Sequence, residues 1–399
     1  MFITRVQKLS MSEYDCLIVG AGIGGVAAAL LLSRAGHRVT VLERKPESTE
    51  IGAGLQISPN GTRVLKWLGL ESKVQAVSSK PETVEFRDWR KGSVIVNSVL
   101  GASAEQKFHA PYFHLLRSDL LALLVDAAAR DPNIDLVFDA QISKIDTNAS
   151  SITVEIGREI LKADILVGAD GIHSQVREHL FGADAARFTG QVAWRLLIEG
   201  DRLPHRLRRP AANVWWGPKK HFVHYPVRGG TKVNCVCVVE QPDWAEESWV
   251  QPGALEAVRH DFGEWHEDVL TLINAADPSA IFKWGLFDRE PLARWGRQRV
   301  TLLGDACHPT LPFIAQGASM ALEDAAVLTQ CLSGAQDISL SLRKYEGLRQ
   351  PRTAFVQKAS RRNASIYHAS GLRALIRNQV APYAGSRLMD KIYGFNALT

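Results

Sequence analysis

The hydrophobic pattern from Tyr14 to Arg44 predicts a strand, a helix and a second strand. The nearly unbroken apolar run YDCLIV is followed by the glycine turn GAGIGG, the apolar stretch VAAALLLSRAG and the run HRVTVLER. Unbroken apolar runs are typical of strands in a parallel sheet that is covered on both faces. Gly36 stands where a glycine commonly ends a helix. The pattern therefore indicates a βαβ unit.

The rest of the chain alternates between two hydrophobic patterns. The runs ADILVGADG and RVTLLGDA again have the nearly continuous apolar sequence of buried parallel strands. Between about Phe188 and Phe282, the runs VAWRLLIEG, NVWWG, KHFVHYPV and KVNCVCVVE alternate apolar and polar residues, as half-covered antiparallel strands do. An α/β fold is predicted, in which a unit with a parallel sheet is interrupted by a unit with an antiparallel sheet. The further predicted elements are a helix ending at Gly69, strands within 83–99, helices at 118–130 and 318–331, and a polar helical stretch from about Leu342.

The composition is typical of a soluble globular protein of two or three domains. The chain has 399 residues, of which 46% are hydrophobic and 22% are charged, and these values exclude disordered and fibrous proteins. The net charge of +5 comes without a block of Lys or Arg, so small anionic ligands are expected rather than nucleic acid. No apolar run reaches the roughly 18 residues of a membrane-spanning helix, so no membrane partner is expected.

The N-terminus and the cysteines indicate a reducing, cytoplasmic location. The run MFITRVQKLS lacks the apolar core of a secretory signal and is interpreted as a short tail or as the product of an upstream start, with Met11 as the alternative first residue. Five cysteines without a C-x-x-C pair or a cluster at metal-ligand spacing argue against disulfides, and no metal site is expected. Cys235 and Cys237 alternate in an apolar run and are interpreted as buried strand thiols rather than a redox pair.

The glycine turn has the spacing of a dinucleotide-binding motif. Gly20, Gly22 and Gly25 form G-x-G-x-x-G between the first strand and the helix, and Glu43 ends the next strand. The three glycines permit a tight turn, a close approach of the backbone to a pyrophosphate, and close packing of helix and strand. The helix N-terminus would face the phosphates, and Glu43 could accept hydrogen bonds from ribose hydroxyls. The alternative is a close helix contact without a ligand.

Two further strands end in a carboxylate next to glycine. Asp170 and Gly171 end ADILVGADG, and Gly304 and Asp305 end RVTLLGDA. In open α/β sheets the carboxyl ends of the strands form the ligand-binding edge, so both aspartates are expected there. Either one alone could equally be a turn with an Asx cap.

Together, in this order, the three motifs resemble those of the class A flavoprotein monooxygenases, the single-component aromatic hydroxylases that include salicylate hydroxylase, 3-hydroxybenzoate 6-hydroxylase and 6-hydroxynicotinate 3-monooxygenase. The resemblance extends from Asp15 to about Arg352. It implies bound FAD, with NADH or NADPH as a transient co-substrate. Because no second G-x-G-x-x-G occurs downstream, the nicotinamide nucleotide is expected to bind without a Rossmann unit of its own.

The resemblance also implies roles for residues around FAD. Gly20, Gly22, Gly25 and Glu43, with the adjacent Arg44, would hold its ADP part.

Other residues would contact the rest of the cofactor. Arg117 would reach the flavin or its phosphates, Asp170 and Gly171 would lie near FAD and the path of the pyridine nucleotide, and Asp305 would bind the ribityl or pyrophosphate portion. The N–H groups of a helix that starts near Ala318 would stabilise negative charge on a reduced flavin. The residues implied beside the isoalloxazine ring are Pro312, Gly317 and Ala318.

The implied domain organisation is discontinuous. A Rossmann-like FAD-binding domain would comprise residues 12–82, 110–187 and 284–345. An antiparallel-sheet substrate domain would comprise residues 83–109 and 188–283. A C-terminal helical segment, 346–399, would follow.

The substrate side is predicted from one strand. Electrophilic hydroxylation needs an electron-rich ring, so a base near a ring hydroxyl is expected. If KHFVHYPV is a strand, His221 and Tyr225 share one face and His224 points to the other. The resemblance favours His221 as base or proton relay and Tyr225 as the residue that orients the substrate, and a structural role is the alternative. Gln56 and Phe313 would line the pocket. Because the 6-hydroxynicotinate enzymes carry histidines at these two positions, the departure favours a salicylate-like or hydroxybenzoate-like acid.

Several other polar and aromatic residues are interpreted as structural. His308 is expected to order its loop, and the tryptophans Trp215 and Trp216 are expected to fill a core. Arg63, Arg195 and Arg228 could pair a carboxylate, but a structural or solvated role is favoured for each.

The implied activity is that of a monooxygenase. NADH or NADPH would reduce FAD, O₂ would add at flavin C4a, and the hydroperoxide would hydroxylate a small aromatic acid, with decarboxylation if the attacked carbon bears the carboxylate. The alternatives are an N-heteroaromatic hydroxylase of the 6-hydroxynicotinate type, a flavin reductase or dehydrogenase on the same fold, and a non-catalytic flavin-binding sensor. Monomer and homodimer both remain open.

Overall fold

The computed structural model describes residues 13–47, 53–148, 150–243, 251–384 and 386–399. The predicted N-terminal tail, the alternative start at Met11 and residue 12, where the first domain segment is predicted to begin, lie outside the described residues. The strands are β1 (Asp15–Val19), β2 (Arg38–Leu42), β3 (Gly54–Ile57), β4 (Thr83–Asp88), β5 (Val94–Val99), β6 (Phe113–Leu116), β7 (Ile134–Val137), β8 (Ile142–Thr147), β9 (Ile152–Ile156), β10 (Glu159–Ala163), β11 (Ile165–Gly168), β12 (Arg187–Glu199), β13 (Ala211–Gly217), β14 (Lys220–Val227), β15 (Lys232–Glu240), β16 (Gln251–Pro252), β17 (Phe282–Asp288) and β18 (Val300–Leu302). The α-helices are α1 (Ile23–Arg34), α2 (Pro59–Trp67), α3 (Glu71–Val77), α4 (Gly101–Phe108), α5 (Arg117–Ala129), α6 (Gln175–Phe181), α7 (Leu255–Phe262), α8 (Glu267–Ala275), α9 (Gly317–Leu332), α10 (Ile338–Tyr367), α11 (Gly371–Ala384) and α12 (Ser386–Tyr393).

A parallel sheet carries the predicted βαβ unit. Its strand order is β18-β11-β1-β2-β7, and each of its strand pairs is parallel. Helix α1 is buried along nearly its whole length because α5 and α9 pack against it, and this explains why its sequence is apolar on all sides. The mixed α/β class and the βαβ unit are therefore confirmed.

The larger sheet contains the alternating strands of the middle region. Its order is β16-β17-β12-β15-β14-β13-β4-β5, and its strand pairs are antiparallel except that β13 pairs with β4 in parallel. One face packs on α7 and α8, around side chains such as Phe222 and Phe262. The other face carries Tyr225 and Trp216 and packs toward the C-terminal helices. This second face is the one that faces a cavity.

Parts of the middle region differ from the sequence prediction. The sequence predicts antiparallel strands between about Phe188 and Phe282 and no helix there, but α7 and α8 lie in this region. The buried residues of α7, Leu255, Val258 and Phe262, recur at helical spacing. Strand β17 pairs with β12 and runs across the predicted domain boundary at residue 283. We propose that the unit formed by the larger sheet ends after Asp288 instead.

Two small sheets were not predicted. Strands β10, β9 and β8 form an antiparallel sheet, and β3 pairs antiparallel with β6. The β3–β6 pair places Gln56 opposite His114. It therefore brings β3 beside the start of α5.

The C-terminal stretch is helical, as predicted, and begins at Ile338 rather than near residue 346. None of the helices in the described part of the chain combines the length and apolarity that crossing a bilayer requires. Cys235 and Cys237 are fully buried on β15, which confirms the prediction of buried strand thiols, and burial raises the pKa of both.

Candidate active site

Three corners meet at the carboxyl edge of the parallel sheet. β18, β11 and β1 are neighbours, so the turns that follow them lie side by side. A Cβ atom on Gly20, whose φ is +105°, would lie 2.5 Å from the carbonyl oxygen of Ala169. A Cβ atom on Gly24 would lie 2.6 Å from the side chain of Leu303. The sequence prediction that the three motifs converge at this edge is thus confirmed.

The glycines at these corners divide into packed and open positions. A Cβ atom on Gly25 would lie 2.0 Å from the carbonyl oxygen of Gly20, so this glycine allows α1 to approach β1. A Cβ atom on Gly22, Gly171 or Gly317 would meet no described protein atom within 4 Å. The N-termini of α1 and α9, which begin beside Gly22 and at Gly317, have no side-chain cap. Free backbone N–H groups with open space in front of them form a site for an anionic ligand.

Glu43 lies at this edge and already makes hydrogen bonds within the protein. Its carboxylate accepts from the backbone N–H of Ala21 at 2.9 Å and from that of Lys45 at 3.1 Å. It therefore orders the glycine turn, and each carboxylate oxygen keeps lone pairs for a ribose hydroxyl. The adjacent Arg44 is exposed.

Asp170 contacts the start of a helix. Its carboxylate accepts from the hydroxyl of Ser174 at 2.5 Å and from the backbone N–H of Val176 at 3.2 Å, at the start of α6. Burial raises its pKa, and these hydrogen bonds oppose that rise. The Asp170 carboxylate therefore holds the first turn of α6 together with the N-cap residue Ser174, while Gly171 (φ +77°) leaves the adjoining space open.

Asp305 and Arg117 form the third corner. Arg117 begins α5, and its backbone N–H donates to the carbonyl of Ala53 at 2.8 Å. Asp305 is exposed to solvent but has protein atoms closely around it. Desolvation by this protein raises the pKa of Asp305, and the charges of Arg117 and His308 oppose the rise. A carboxylate and a guanidinium thus lie near the open space in front of α9.

A cavity of about 870 Å³ adjoins this edge. The turn from Pro312 to Ala318 and the strand residues Gly54–Gln56 line one side. The larger sheet lines the opposite side with His221, Val223 and Tyr225, and Phe313 also borders the space. All four predicted substrate-side residues, Gln56, His221, Tyr225 and Phe313, therefore meet in one cavity.

His221 is buried, at 2% exposure, and makes one hydrogen bond to another histidine. Its Nδ1 lies 2.8 Å from Nε2 of His368, and its ring contacts Phe313 edge-on with centroids 5.1 Å apart. Burial lowers the pKa of His221 well below its usual value, and the neighbouring His368 lowers it further. His221 is therefore neutral near pH 7.

Tyr225 lies further along the same face of β14. It stands opposite Asn234 in the strand register, and its ring lies 4.6 Å from that of His114. Burial raises its pKa, while Arg195, Gln56 and Asn234 oppose the rise. Tyr225 therefore keeps its proton, and its phenol can donate a hydrogen bond into the cavity.

The model of the family described as FAD binding domain matches residues 13–362. The chain belongs to this family, as one of its flavin-dependent aromatic monooxygenases. It is 36% identical to 3-amino-4-hydroxybenzoate 2-monooxygenase of Streptomyces platensis over 95% of this chain and 96% of that protein. It is also 36% identical to 3-hydroxybenzoate 6-hydroxylase of Polaromonas naphthalenivorans, over 96% and 97%. The crystal structure of Klebsiella pneumoniae HpxO complexed with FAD and uric acid superposes with a TM-score of 0.84 at 27% identity, covering 95% of each chain.

The residues at the three corners fit the cofactor of this monooxygenase family. The open positions at Gly22, Gly171 and Gly317 and the uncapped helix ends supply space and N–H donors for a long anionic cofactor. The cavity beside α9 has room for a flavin ring next to a small aromatic acid, since ligand sites commonly occupy roughly 300–1,000 Å³.

Trp215 and His308, which are predicted to be structural, both hydrogen-bond within the protein. His224 lies on the opposite face of β14 from His221, as predicted, and accepts from the indole N–H of Trp215 at 3.2 Å. His308 Nε2 lies 2.5 Å from the carboxylate of Asp324, so His308 orders its loop.

The three arginines that could pair a carboxylate lie in different surroundings. Arg63 donates to the carbonyls of Phe108, Tyr393 and Phe395, and Arg228 pairs with Asp119, so both are structural. Arg195 lines the cavity instead.

Arg195 and Trp216, for which the sequence favours structural roles, both border the cavity. Trp216 is 4% exposed and lies in a hydrophobic cluster, so the expectation that it fills a core is confirmed. The Arg195 guanidinium stacks 4.0 Å from the ring of Trp284 and lies at the cavity wall. Trp216 packs against Phe86 and Tyr367 and also borders the space. The strand register brings them there, and a single sequence does not contain that register.

Sequence reasoning missed residues from distant segments that either line the cavity, as Tyr367 and Arg377 do, or hydrogen-bond to residues that line it, as Asn234 and His368 do. Asn234 contacts Gly54 and was recognisable as a polar residue within an apolar strand. Tyr367 and Arg377 come from the C-terminal helices, and His368 follows α10, with no local signal for a site. The C-terminal segment therefore completes the cavity.

Proposed function

We propose that this monooxygenase uses NADH or NADPH and O₂ to hydroxylate a small hydroxybenzoate-like acid at a ring carbon. One observation carries the proposal. His221 and Tyr225 project from one strand face into the cavity that the Pro312–Ala318 turn borders, and Arg195 lies at the wall of the same cavity. A base, a phenol donor and a guanidinium suit a ring that bears a hydroxyl and a carboxylate.

We assign the FAD site to the three corners. Gly20, Gly22 and Gly25, with Glu43 and Arg44, would hold the ADP part.

The remaining corner residues would hold the rest of FAD. Arg117, Asp305 and Gly171 would lie along the pyrophosphate and ribityl chain, and Asp170 would fix the turn that carries Gly171. Pro312, Gly317 and Ala318 would lie against the flavin ring. When bound, FAD takes a hydride from the nicotinamide nucleotide and supplies the activated oxygen.

His221 acts on the substrate hydroxyl. Since Nδ1 is engaged by His368, Nε2 is the ring nitrogen left for a ligand in the cavity. Removal of the hydroxyl proton at Nε2 makes the ring electron-rich, which is the condition for electrophilic attack.

Tyr225 and Arg195 orient the ring. Tyr225 donates its hydroxyl hydrogen to the substrate, because its raised pKa keeps it protonated. Arg195 forms charge-assisted hydrogen bonds to the carboxylate. The His221 and Tyr225 Cα atoms are about 13 Å apart, four residues along a strand, so the two side chains reach the cavity at separate points with Val223 between them.

The names of the two bacterial relatives favour attack at a ring carbon without a carboxylate. Those proteins act at C2 of 3-amino-4-hydroxybenzoate and at C6 of 3-hydroxybenzoate. We therefore propose hydroxylation without decarboxylation as the main reaction.

The test uses purified, FAD-loaded protein and a panel of hydroxybenzoates and hydroxypyridine carboxylates. We expect a hydroxybenzoate to stimulate oxidation of NADH or NADPH, and mass spectrometry after ¹⁸O₂ turnover to find one labelled oxygen in the product. A product without label would indicate a reductase or dehydrogenase. Release of labelled CO₂ from a carboxyl-labelled substrate would identify the decarboxylating variant of the reaction, and a response only to pyridines would replace the substrate class.

A further inference from the structure

We propose that His221, His368 and Glu240 form a proton relay that carries the proton of the substrate hydroxyl from the cavity to solvent. The proposal rests on the proposed function, in which His221 receives that proton. It adds two residues that are remote from the substrate and that would act through His221.

The three side chains form a continuous chain of hydrogen bonds. His221 Nδ1 lies 2.8 Å from His368 Nε2, and His368 Nδ1 lies 2.9 Å from Glu240 Oε1. His221 and the His368 side chain are both 2% exposed, whereas the Glu240 side chain is 38% exposed. The chain therefore begins at the cavity wall and ends at the surface.

The backbone holds the three residues in register. The N–H of Lys219 donates to the carbonyl of His368 at 3.1 Å, and the N–H of Glu240 donates to the carbonyl of Lys219 at 3.0 Å. His221 is two residues beyond Lys219 on the same hairpin. The end of α10 and the end of β15 are thus fixed beside β14.

Glu240 determines which ring nitrogen donates and which accepts in each hydrogen bond of the chain. An ionised carboxylate only accepts, so Nδ1 of a neutral His368 must carry its proton and Nε2 must accept. His221 Nδ1 must then be the donor, which leaves the lone pair on His221 Nε2. This is the tautomer that a base acting on a cavity ligand needs.

The step balances as a proton transfer. The O–H bond of the substrate breaks and an N–H bond forms at His221 Nε2. The Nδ1 proton of His221 moves to Nε2 of His368, and the Nδ1 proton of His368 moves to the Glu240 carboxylate, which releases a proton to water. The substrate keeps the electron pair as phenolate. No redox partner takes part.

Because His221 is buried, it cannot hold the substrate proton as a stable charge, and the proton has to be passed on. A charged imidazolium is costly in a low-dielectric interior, so a proton held on His221 would return to the substrate. The groups facing the histidine pair are the Glu240 carboxylate, the Tyr367 hydroxyl, which donates to the carbonyl of Phe313, and Arg377, which donates to the carbonyls of Ile366 and Tyr367. Among them, Glu240 is the acceptor that bonds to the pair.

The first test measures phenolate formation in the FAD-loaded protein without NADH. 3-Hydroxybenzoate is mixed with enzyme in a stopped-flow instrument, and ionisation of the bound ligand is followed by its ultraviolet difference spectrum. We expect His368→Phe, which keeps an aromatic ring, to slow this phase by a factor of about 10² while ligand affinity stays within a few fold. Glu240→Gln should slow it less and move its pH profile. Glu159→Gln, which changes an exposed glutamate on β10, is the matched control and should not change the rate.

A smaller variant and imidazole separate relay from structure. His368→Ala should recover phenolate formation when imidazole is added, in proportion to imidazole concentration, because the free base replaces the missing ring. A merely structural role predicts weaker 3-hydroxybenzoate binding and no response to imidazole. Unchanged rates in both His368 variants would overturn the relay.

The tautomers test the relay without any turnover. In ¹⁵N-histidine spectra of the FAD-loaded protein we expect His221 and His368 both to carry the hydrogen on Nδ1. Hydrogen on Nε2 of His221 overturns the relay, whatever the activity. If the tautomers are as expected but no aromatic acid stimulates NADH oxidation in the wild type, the proposed function fails and the hydrogen-bond chain stands.

Discussion

The backbone N–H of Gly54 donates to the side-chain carbonyl of Asn234 at 2.8 Å, and this hydrogen bond joins β3 to the larger sheet at the edge of the cavity. The contact is too close for any other residue at position 54, since a Cβ atom there would lie 2.5 Å from Cγ of Asn234. Asn234 also stands opposite Tyr225 in the strand register. The pair therefore couples the wall that we assign to FAD with the wall that we assign to substrate.

A double-mutant cycle tests this coupling. Asn234→Ala is expected to lower the free energy of unfolding by about 1–3 kcal/mol, because the partly buried N–H group of Gly54 loses its acceptor. Gly54→Ala alone should be destabilising through the clash, yet cost less when Asn234 is already alanine, since the contacts with Cγ at 2.5 Å and Nδ2 at 2.8 Å are then gone and only the contact with the Cβ atom of residue 234 at 2.7 Å is left. Denaturant unfolding of the four proteins should give a coupling energy of about 1 kcal/mol or more. Additive effects would contradict the contact.

The open glycines make a second prediction. Gly22→Ala and Gly317→Ala add a methyl that meets no described protein atom within 4 Å, so the melting temperature of the apoprotein should hardly change. The same methyl should weaken FAD binding by about tenfold or more, because it takes space from the cofactor. Titration of apoprotein with FAD measures the effect.

The matched control for these variants is Gly347→Ala. Gly347 lies in α10 with equally open space around its Cβ position and does not line the cavity. This change should leave FAD affinity unaltered and stabilise the helix by about 0.5–1 kcal/mol. Equal FAD affinity in all three variants would remove the assignment of the first two glycines to the cofactor.

Local requirements explain what the sequence could predict. Gly25 is needed because a Cβ atom there would meet the carbonyl of Gly20, five residues earlier, and the period of two along β14 separates His221 from His224. Buried strands and the convergence of the three corners follow from apolar runs and from sheet topology. These features depend on neighbours in sequence or on a general rule of parallel sheets.

Long-range register explains what the sequence could not predict. His221 and His368 are 147 residues apart, and no local pattern joins them. Arg195 has the appearance of any strand arginine until β12 is placed beside Trp284 on β17. The helix α7 is a different case, since the helical spacing of Leu255, Val258 and Phe262 is a local signal that lies inside a region where the sequence analysis predicts strands.

The third prediction concerns the buried charge cluster behind Asp305. The Asp324 carboxylate lies 2.5 Å from His308 Nε2 and accepts from Arg349 at 2.6 Å, and all three residues are buried. Burial alone would raise the pKa of Asp324, but His308 and Arg349 lower it from 3.8 to about 2. Asp324→Asn should cost about 3–5 kcal/mol of unfolding free energy near neutral pH, because it leaves buried charges without a partner.

The pH dependence of this cost has a defined sign. The folded-state pKa of Asp324 lies below the unfolded value, so its stabilising contribution is present above about pH 4 and is lost as the pH falls toward 2. The stability difference between wild type and Asp324→Asn should therefore shrink over that interval in denaturant unfolding experiments. Asp146→Asn, which removes an exposed ion pair with Lys144, is the control and should cost about 0–1 kcal/mol.

The last prediction concerns substrate selection by Arg195. Arg195→Met keeps an apolar stem against Trp284 but removes the charge, so KM for the hydroxybenzoate should rise by about 10- to 100-fold, the equivalent of a lost hydrogen bond to a charged group. The corresponding phenol without a carboxylate should bind wild type and variant alike. Arg195→Lys should recover part of the affinity, since it restores a point charge without the planar fork. If the variant discriminated between acid and phenol as wild type does, the carboxylate would have to lie elsewhere, and Arg377 would be the next arginine of the cavity wall to change.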